Sequence, residues 1–225
     1  MRPSDFVRLH PSLYHMAEDG SWPGIRARGL LSTSELLTLY GYTGQRRDVI
    51  ESEWRERSVT IKRSGLPDAV VRDQLVMPPG ELQQCLSPGL TPPDWYRLVN
   101  ARIFFWTTAQ DLARFLSANS YRNAPHVVIQ VDAAKLIERH LPRITVTPFN
   151  TGSTLHGREY AHARERGPET FRRIEDYNLS WVKELVVEGG VPDIGEVVTS
   201  VKRCISHSAN WSNPQYEELE TLFPD

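Results

Sequence analysis

Twice in this chain a strongly β-prone run passes directly into a short helix. RIFFWTT (102–108) leads into AQDLARFLSAN, and PHVVIQVD (125–132) leads into AAKLI. Branched and aromatic residues favour a pleated strand, and Thr107 or Thr108 in the first case and Asp132 in the second stand where a helix N-cap belongs. Leu112, Phe115 and Leu116 then share one helical face. Such runs need a sheet to pair in, and the rest of the chain offers one. LYH (13–15), SVTIKR (58–63) and RITVTPF (143–149) read as further strands, and WVKELVVEGGVPDIGEVVTSVKRC (181–204) as two strands around a Gly-Gly turn. Between them, Ser21 as N-cap, Pro23 and Gly29 bracket a two-turn helix, STSELLTLYG (32–41) reads as a second, capped by Ser32 or Ser34, and DVIESEWRERS (48–58) as a third. Strands outnumber long helices, which predicts an α+β fold with a mainly antiparallel sheet that is open to being split.

A length of 225 residues suits a single domain, 1–225. The proline-punctuated stretch around 64–98 reads as a substrate-side insertion. A polar loop within 149–180 is longer than a compact domain keeps without a functional reason. The net charge of −2 gives no global pull toward nucleic acid or a membrane. No window reaches the roughly 18 apolar residues of a spanning helix, and MRPSDFVRLHPS lacks the apolar centre of a signal peptide, so the expectation is a cytoplasmic chain with no membrane role. Cys85 and Cys204, without a CxxC pair, support neither a disulfide framework nor a thiolate zinc site. The histidines form no HxxxH or HxH pair with a nearby carboxylate, so no metal is expected. A G-x-S-x-G elbow, a P-loop and a Gly-rich dinucleotide fingerprint are all missing from the sequence.

What remains are isolated residues in informative places. Alternation along 181–187 puts Val182, Glu184 and Val186 on one side, Trp181, Lys183, Leu185 and Val187 on the other. Glu184 is either on the wetter face of its strand or a carboxylate aimed into a cleft, where it would accept a proton or steady positive charge. His15, in a short apolar strand, is either a core histidine or part of a site. FFWTT (104–108) splits by parity: Phe105 faces one way, Phe104 and Trp106 the other, and a side lining a cleft would suit a planar ligand. Arg72, after two valines, suits a bidentate phosphate or carboxylate contact. The clusters Arg46–Arg47, Arg172–Arg173 and HARERG (162–167) read as solvated surface.

In order along the chain, these segments resemble the ADP-ribosyltransferase superfamily, in the His–aromatic–Glu branch that includes poly-ADP-ribose polymerases, RNA 2′-phosphotransferases and DarT-type DNA-modifying toxins. LYHMAEDGSWPGIRARGLLS is similar to the family's opening segment, ARIFFWTTAQDLARFL to its middle strand and helix, VVIQVDAAKL to its "VLxIDAxxL" strand, and WVKELVVEGGVPDIGEVVTSV to the "EvLV…VP" ending. An uncharacterised bacterial subgroup shares segments like WYRLVNARIFFWT and FNTGST. The resemblance implies an ADP-ribosyltransferase-like split sheet flanked by short helices, with NAD as ADP-ribose donor. It implies that His15, beside Tyr14, grips NAD, that one of Phe104, Phe105 or Trp106 with Thr107 borders nicotinamide, and that Glu184 is catalytic. Asn150, Thr151, Ser153 and Arg158 would meet cofactor or acceptor, and Arg72 or Arg97 would stand for the toxin branch's arginine. The implied activity is ADP-ribosyl transfer with nicotinamide release to a nucleic-acid or nucleotide acceptor, with an antitoxin protein as partner. Alternatives are an NAD glycohydrolase, an RNA 2′-phosphotransferase-like enzyme, or a non-catalytic nucleotide binder.

Overall fold

The computed structural model describes residues 1–154, 165–178 and 181–224. Helix α1 (Pro3–Leu9) precedes strand β1 (Ser12–Glu18); α2 (Trp22–Arg28), β2 (Leu30–Leu31), α3 (Thr33–Leu39) and α4 (Gly44–Glu51) follow. Next come β3 (Val59–Ile61), β4 (Ala69–Val71), α5 (Pro79–Gln83) and α6 (Pro92–Asn100). The middle of the chain holds β5 (Arg102–Trp106), α7 (Ala109–Leu116), β6 (Pro125–Asp132), α8 (Ala133–His140) and β7 (Ile144–Thr147). The last elements are β8 (Glu184–Glu188), β9 (Gly190–Val191), α9 (Ile194–Val197), β10 (Val198–Ile205) and β11 (Glu217–Phe223).

The fold is α+β. A seven-stranded sheet runs β11-β10-β6-β1-β5-β8-β7 with antiparallel neighbours. One face buries Leu13, Ile103, Phe105, Ile129 and Leu185 beneath apolar residues of α1, α2, α8 and α9. The other packs Met16, Trp106 and Val128 against Leu112 and Leu116 of α7. The capping residues expected at the strand-to-helix joints act as such: Thr108 Oγ1 accepts from Asp111 N–H at 3.1 Å, and Asp132 Oδ1 from Lys135 N–H at 2.9 Å. Ser21 instead turns its hydroxyl back to Glu18 O, at 2.6 Å.

Pairing between β1 and β6 runs from Ser12–Asp132 to Glu18–His126, but among the described residues β1 and β5 register only at Tyr14–Trp106. The sheet therefore opens along the β1–β5 seam. Residues 33–100, between β2 and β5, carry two further apolar clusters, one around Leu37, Tyr42 and Ile61 and one around Leu82, Trp95 and Tyr96. The inner side of this segment faces the open seam.

Three elements depart from the sequence reading. The helix expected over 48–58 spans Gly44–Glu51 instead, because the buried Arg55 guanidinium takes Ile50 O, the carbonyl that Trp54 N–H would take if the helix continued. The Gly-Gly turn does not join neighbouring strands: β8 lies beside β5, β10 beside β6, and between them β9 pairs with β2. Gly29 and Gly190 permit that crossing, since a Cβ on either would meet backbone at 2.4 Å, Pro192 Cα for Gly29 and Leu30 O for Gly190, and both have positive φ. The polar tail beyond Ser206 contains the edge strand β11, whose backbone pairs with β10 while most of its side chains stay exposed, so no burial pattern marks it.

Candidate functional site

The open seam forms one wall of a cavity of about 620 Å³. Strand β8 supplies Glu184 from its first position, where it registers with Trp106 of β5 on one side and Thr147 of β7 on the other. Both faces of β8 are buried and Glu184 is 3% exposed, so the wet-face alternative does not apply to it. Its Oε2 accepts from Thr151 N–H at 3.1 Å and from Thr151 Oγ1 at 2.8 Å. Thr147 Oγ1 lies 3.2 Å from the same oxygen and 2.7 Å from Phe149 O, so its hydroxyl can donate to either. Oε1 takes no hydrogen bond from the described residues and is the oxygen left for a ligand. Burial pushes Glu184 up to about 7, against the two Thr151 bonds, Thr147 and the Lys183 charge.

His15 occupies the seam just beyond the last β1–β5 register pair. Its Nδ1 donates to Phe104 O at 2.9 Å, a side chain bridging where backbone pairing stops. Burial pushes the half-buried ring down to about 4, helped by the Arg72 charge and opposed by the Phe104 bond. The imidazole is neutral at pH 7, with Nδ1 as donor and Nε2 as an acceptor that takes no hydrogen bond from the described residues.

Of the sequence candidates, the cavity wall unites His15, Phe104, Trp106, Asn150, Thr151, Arg72 and Glu184. Phe104 and Trp106 are thus the cavity pair of FFWTT, while Phe105 is fully buried in the core. Tyr14 packs beside the α7 cluster. Thr107 Oγ1 donates to Val182 O at 2.7 Å, joining β5 to the segment before β8. Ser153 stands off the cavity wall and accepts at its carbonyl from Arg166 Nη2 at 2.7 Å. Arg97 is exposed on α6 beside Asp94. Arg158 lies outside the described residues.

Several wall residues gave no signal in the sequence. Arg28 of α2 and Arg102 of β5 bring cations to the wall, and Asp19 is clamped by both nitrogens of an Arg203 fork at 2.8 Å. Gln74 also lines it. Among the described residues, no group of three His, Cys, Asp or Glu side chains is placed to hold a metal ion, and no helix is long and apolar enough to cross a membrane. The arrangement can bind a planar ring against Phe104 or Trp106, accept a hydroxyl hydrogen bond at His15 Nε2, and set a carboxylate against developing positive charge.

The profile of the Family of unknown function (DUF7002) matches residues 11–198. No curated protein and no solved structure matches the chain.

Proposed function

The chain belongs to that family of unknown function, and we propose that it is an NAD-dependent ADP-ribosyltransferase that releases nicotinamide and passes ADP-ribose to a nucleic-acid or nucleotide acceptor. The observation that carries the reading is the pairing of Glu184 and His15 in one cavity: among the described residues, a buried carboxylate has one oxygen fixed and one free, and a neutral imidazole keeps a free acceptor nitrogen. A volume of about 620 Å³ falls within the range of roughly 300–1,000 Å³ common for ligand sites. Aromatic faces and the cations Arg28 and Arg102 on the same wall suit the rings and diphosphate of a dinucleotide.

In this reading the bond between ribose C1′ and the nicotinamide nitrogen breaks and its electron pair leaves with nicotinamide, which becomes neutral. The positive charge left on the ribose is stabilised by the Glu184 carboxylate, whose field is little screened because the side chain is buried. An acceptor oxygen or nitrogen then bonds to C1′, and its proton passes to Glu184, whose raised affinity makes it a competent base near pH 7. His15 takes no proton in this scheme; its Nε2 accepts from a ribose hydroxyl and fixes the sugar.

The test is nicotinamide release from NAD with single-stranded DNA, RNA and protein offered as acceptors, followed by mass spectrometry of each. Release should depend on acceptor and vanish in Glu184→Gln, which keeps shape and loses charge. Release with water alone would make the protein a glycohydrolase, and wild-type turnover in the Gln variant would remove Glu184 from the chemistry.

A further inference from the structure

Two polar atoms of side chains on the cavity wall lack a hydrogen bond among the described residues. They are Arg72 Nε and Gln74 Oε1, and both are buried. Gln74 is 6% exposed. Native chains keep few buried polar groups unmatched, because each loses its water without compensation. Nor is the segment loosely held: Gln74 N–H donates to Arg55 O at 2.7 Å, and Gln74 O accepts from Trp54 Nε1 and Met77 N–H, each at 2.9 Å.

Arg72 is oriented as firmly. Its Nη1 donates to Met16 O at 3.3 Å, and its guanidinium carbon sits 4.6 Å from the centre of the Tyr121 ring. Phe115 packs 4.7 Å from Tyr121 and 5.3 Å from Trp106, continuing the aromatic row. The surrounding charge disfavours an anion here: Glu18 Oε2 is 3.9 Å from Arg72 Nε, and Asp73 accepts from Tyr121 OH at 3.5 Å. A guanidinium beside a carboxylate attracts phosphate weakly but keeps its flat face. The Gln74 amide adds a donor and an acceptor side by side, the pair that matches the polar edge of a nucleobase.

We propose that Arg72 and Gln74 form a base-reading subsite in which a nucleobase stacks on the guanidinium plane and pairs its edge with the Gln74 amide. Stacking on arginine and aromatic planes is how unpaired bases are commonly held. The inference rests on the transferase reading only for which molecule brings the base, the acceptor or the adenine of the donor.

Adenosine, guanosine, cytidine and thymidine are titrated into the whole protein by ligand-observed NMR, using wild type, Gln74→Leu, Gln74→Met and Arg72→Lys, each checked for folding by thermal unfolding. One base should bind wild type at least about tenfold tighter than the others. Both Gln74 variants should level that preference, and Arg72→Lys, which keeps charge but loses the plane, should weaken binding of all four. Absence of binding, equal binding of all four by wild type, or a preference that survives in both Gln74 variants overturns the proposal. Adding excess ADP-ribose separates the sources: displacement of the nucleoside assigns the base to the donor, joint binding assigns it to the acceptor. Nicotinamide release is measured separately, so a protein that reads a base and leaves NAD intact would lose the transferase reading and keep this one.

Discussion

Thr151 holds Glu184 twice, through its backbone N–H at 3.1 Å and its hydroxyl at 2.8 Å, and both bonds fall on Oε2. The two bonds favour the charged carboxylate and partly offset the burial that raises Glu184 to about 7. Thr151→Val keeps the shape and the backbone donor and removes the hydroxyl. Glu184 should then titrate higher still, by about one unit for a bond to a charged group worth roughly 1.5 kcal/mol. If the carboxylate is the working form, nicotinamide release rises with pH through about 7 in wild type and through a higher midpoint in the variant. An unmoved midpoint would detach the profile from Glu184.

The same residue should cost the fold stability. Its ordinary value is 4.5 and its folded value about 7, so between these the folded chain keeps a proton that the unfolded chain has released. Stability therefore falls as pH rises through that window, and above it the penalty is roughly 3 kcal/mol. Glu184→Gln removes the titration, and its amide oxygen can still accept from Thr151. The variant should gain about 5 °C or more in melting temperature over wild type at pH 8, and much less at pH 4.5. Calorimetry at the two pH values checks this, and an equal gain at both would rule out a buried charge as the cause.

How much of the site could be read in advance depended on how local its causes are. The N-caps at Thr108 and Asp132 depend on residues three apart, and they are visible in the sequence. Parity divided Phe105 from Phe104 and Trp106 but could not say which side met a cavity, since that follows from the register of Trp106 with Glu184, 78 positions away in the chain. The wet-face alternative for Glu184 stayed open for the same reason: only the placement of β8 between β5 and β7 buries both its faces. Gln74 gave no signal, because a lone glutamine in an irregular segment is ordinary until its surroundings close over it. Arg55 ended α4 early by a contact that periodicity does not encode.

Adjacent phenylalanines should respond in opposite ways. Phe105 is fully buried among core residues, so Phe105→Ala should cost roughly 3–5 kcal/mol of stability. Phe104 lines the cavity and is only partly buried, so Phe104→Leu should leave the melting temperature nearly unchanged and raise the KM for NAD. Denaturant unfolding and steady-state kinetics on the two variants make the comparison. The reverse pattern would put the ligand-facing side of β5 on the wrong face.

His15 should act as a hydrogen-bonding group and never as an acid near neutrality. Burial holds it at about 4, below its ordinary 6.5, so the unfolded chain takes up a proton that the folded chain refuses as pH falls through this window. Stability from this group is present above about 6.5 and is lost as pH falls toward 4, opposite in sense to Glu184. His15→Ala removes that loss, so the stability difference between variant and wild type should narrow as pH drops from 7 to 4. It also removes the Nε2 acceptor and the Nδ1 bond that closes the seam at Phe104, and NAD affinity should fall about 10- to 100-fold, equivalent to 1–3 kcal/mol. Because the ring stays neutral from pH 6 to 8, the activity profile there should carry the single rise of Glu184. A second ionisation near 6.5 that disappears in His15→Ala would mean that the imidazole is protonated in the working enzyme, and the role of Nε2 as acceptor would fall with it.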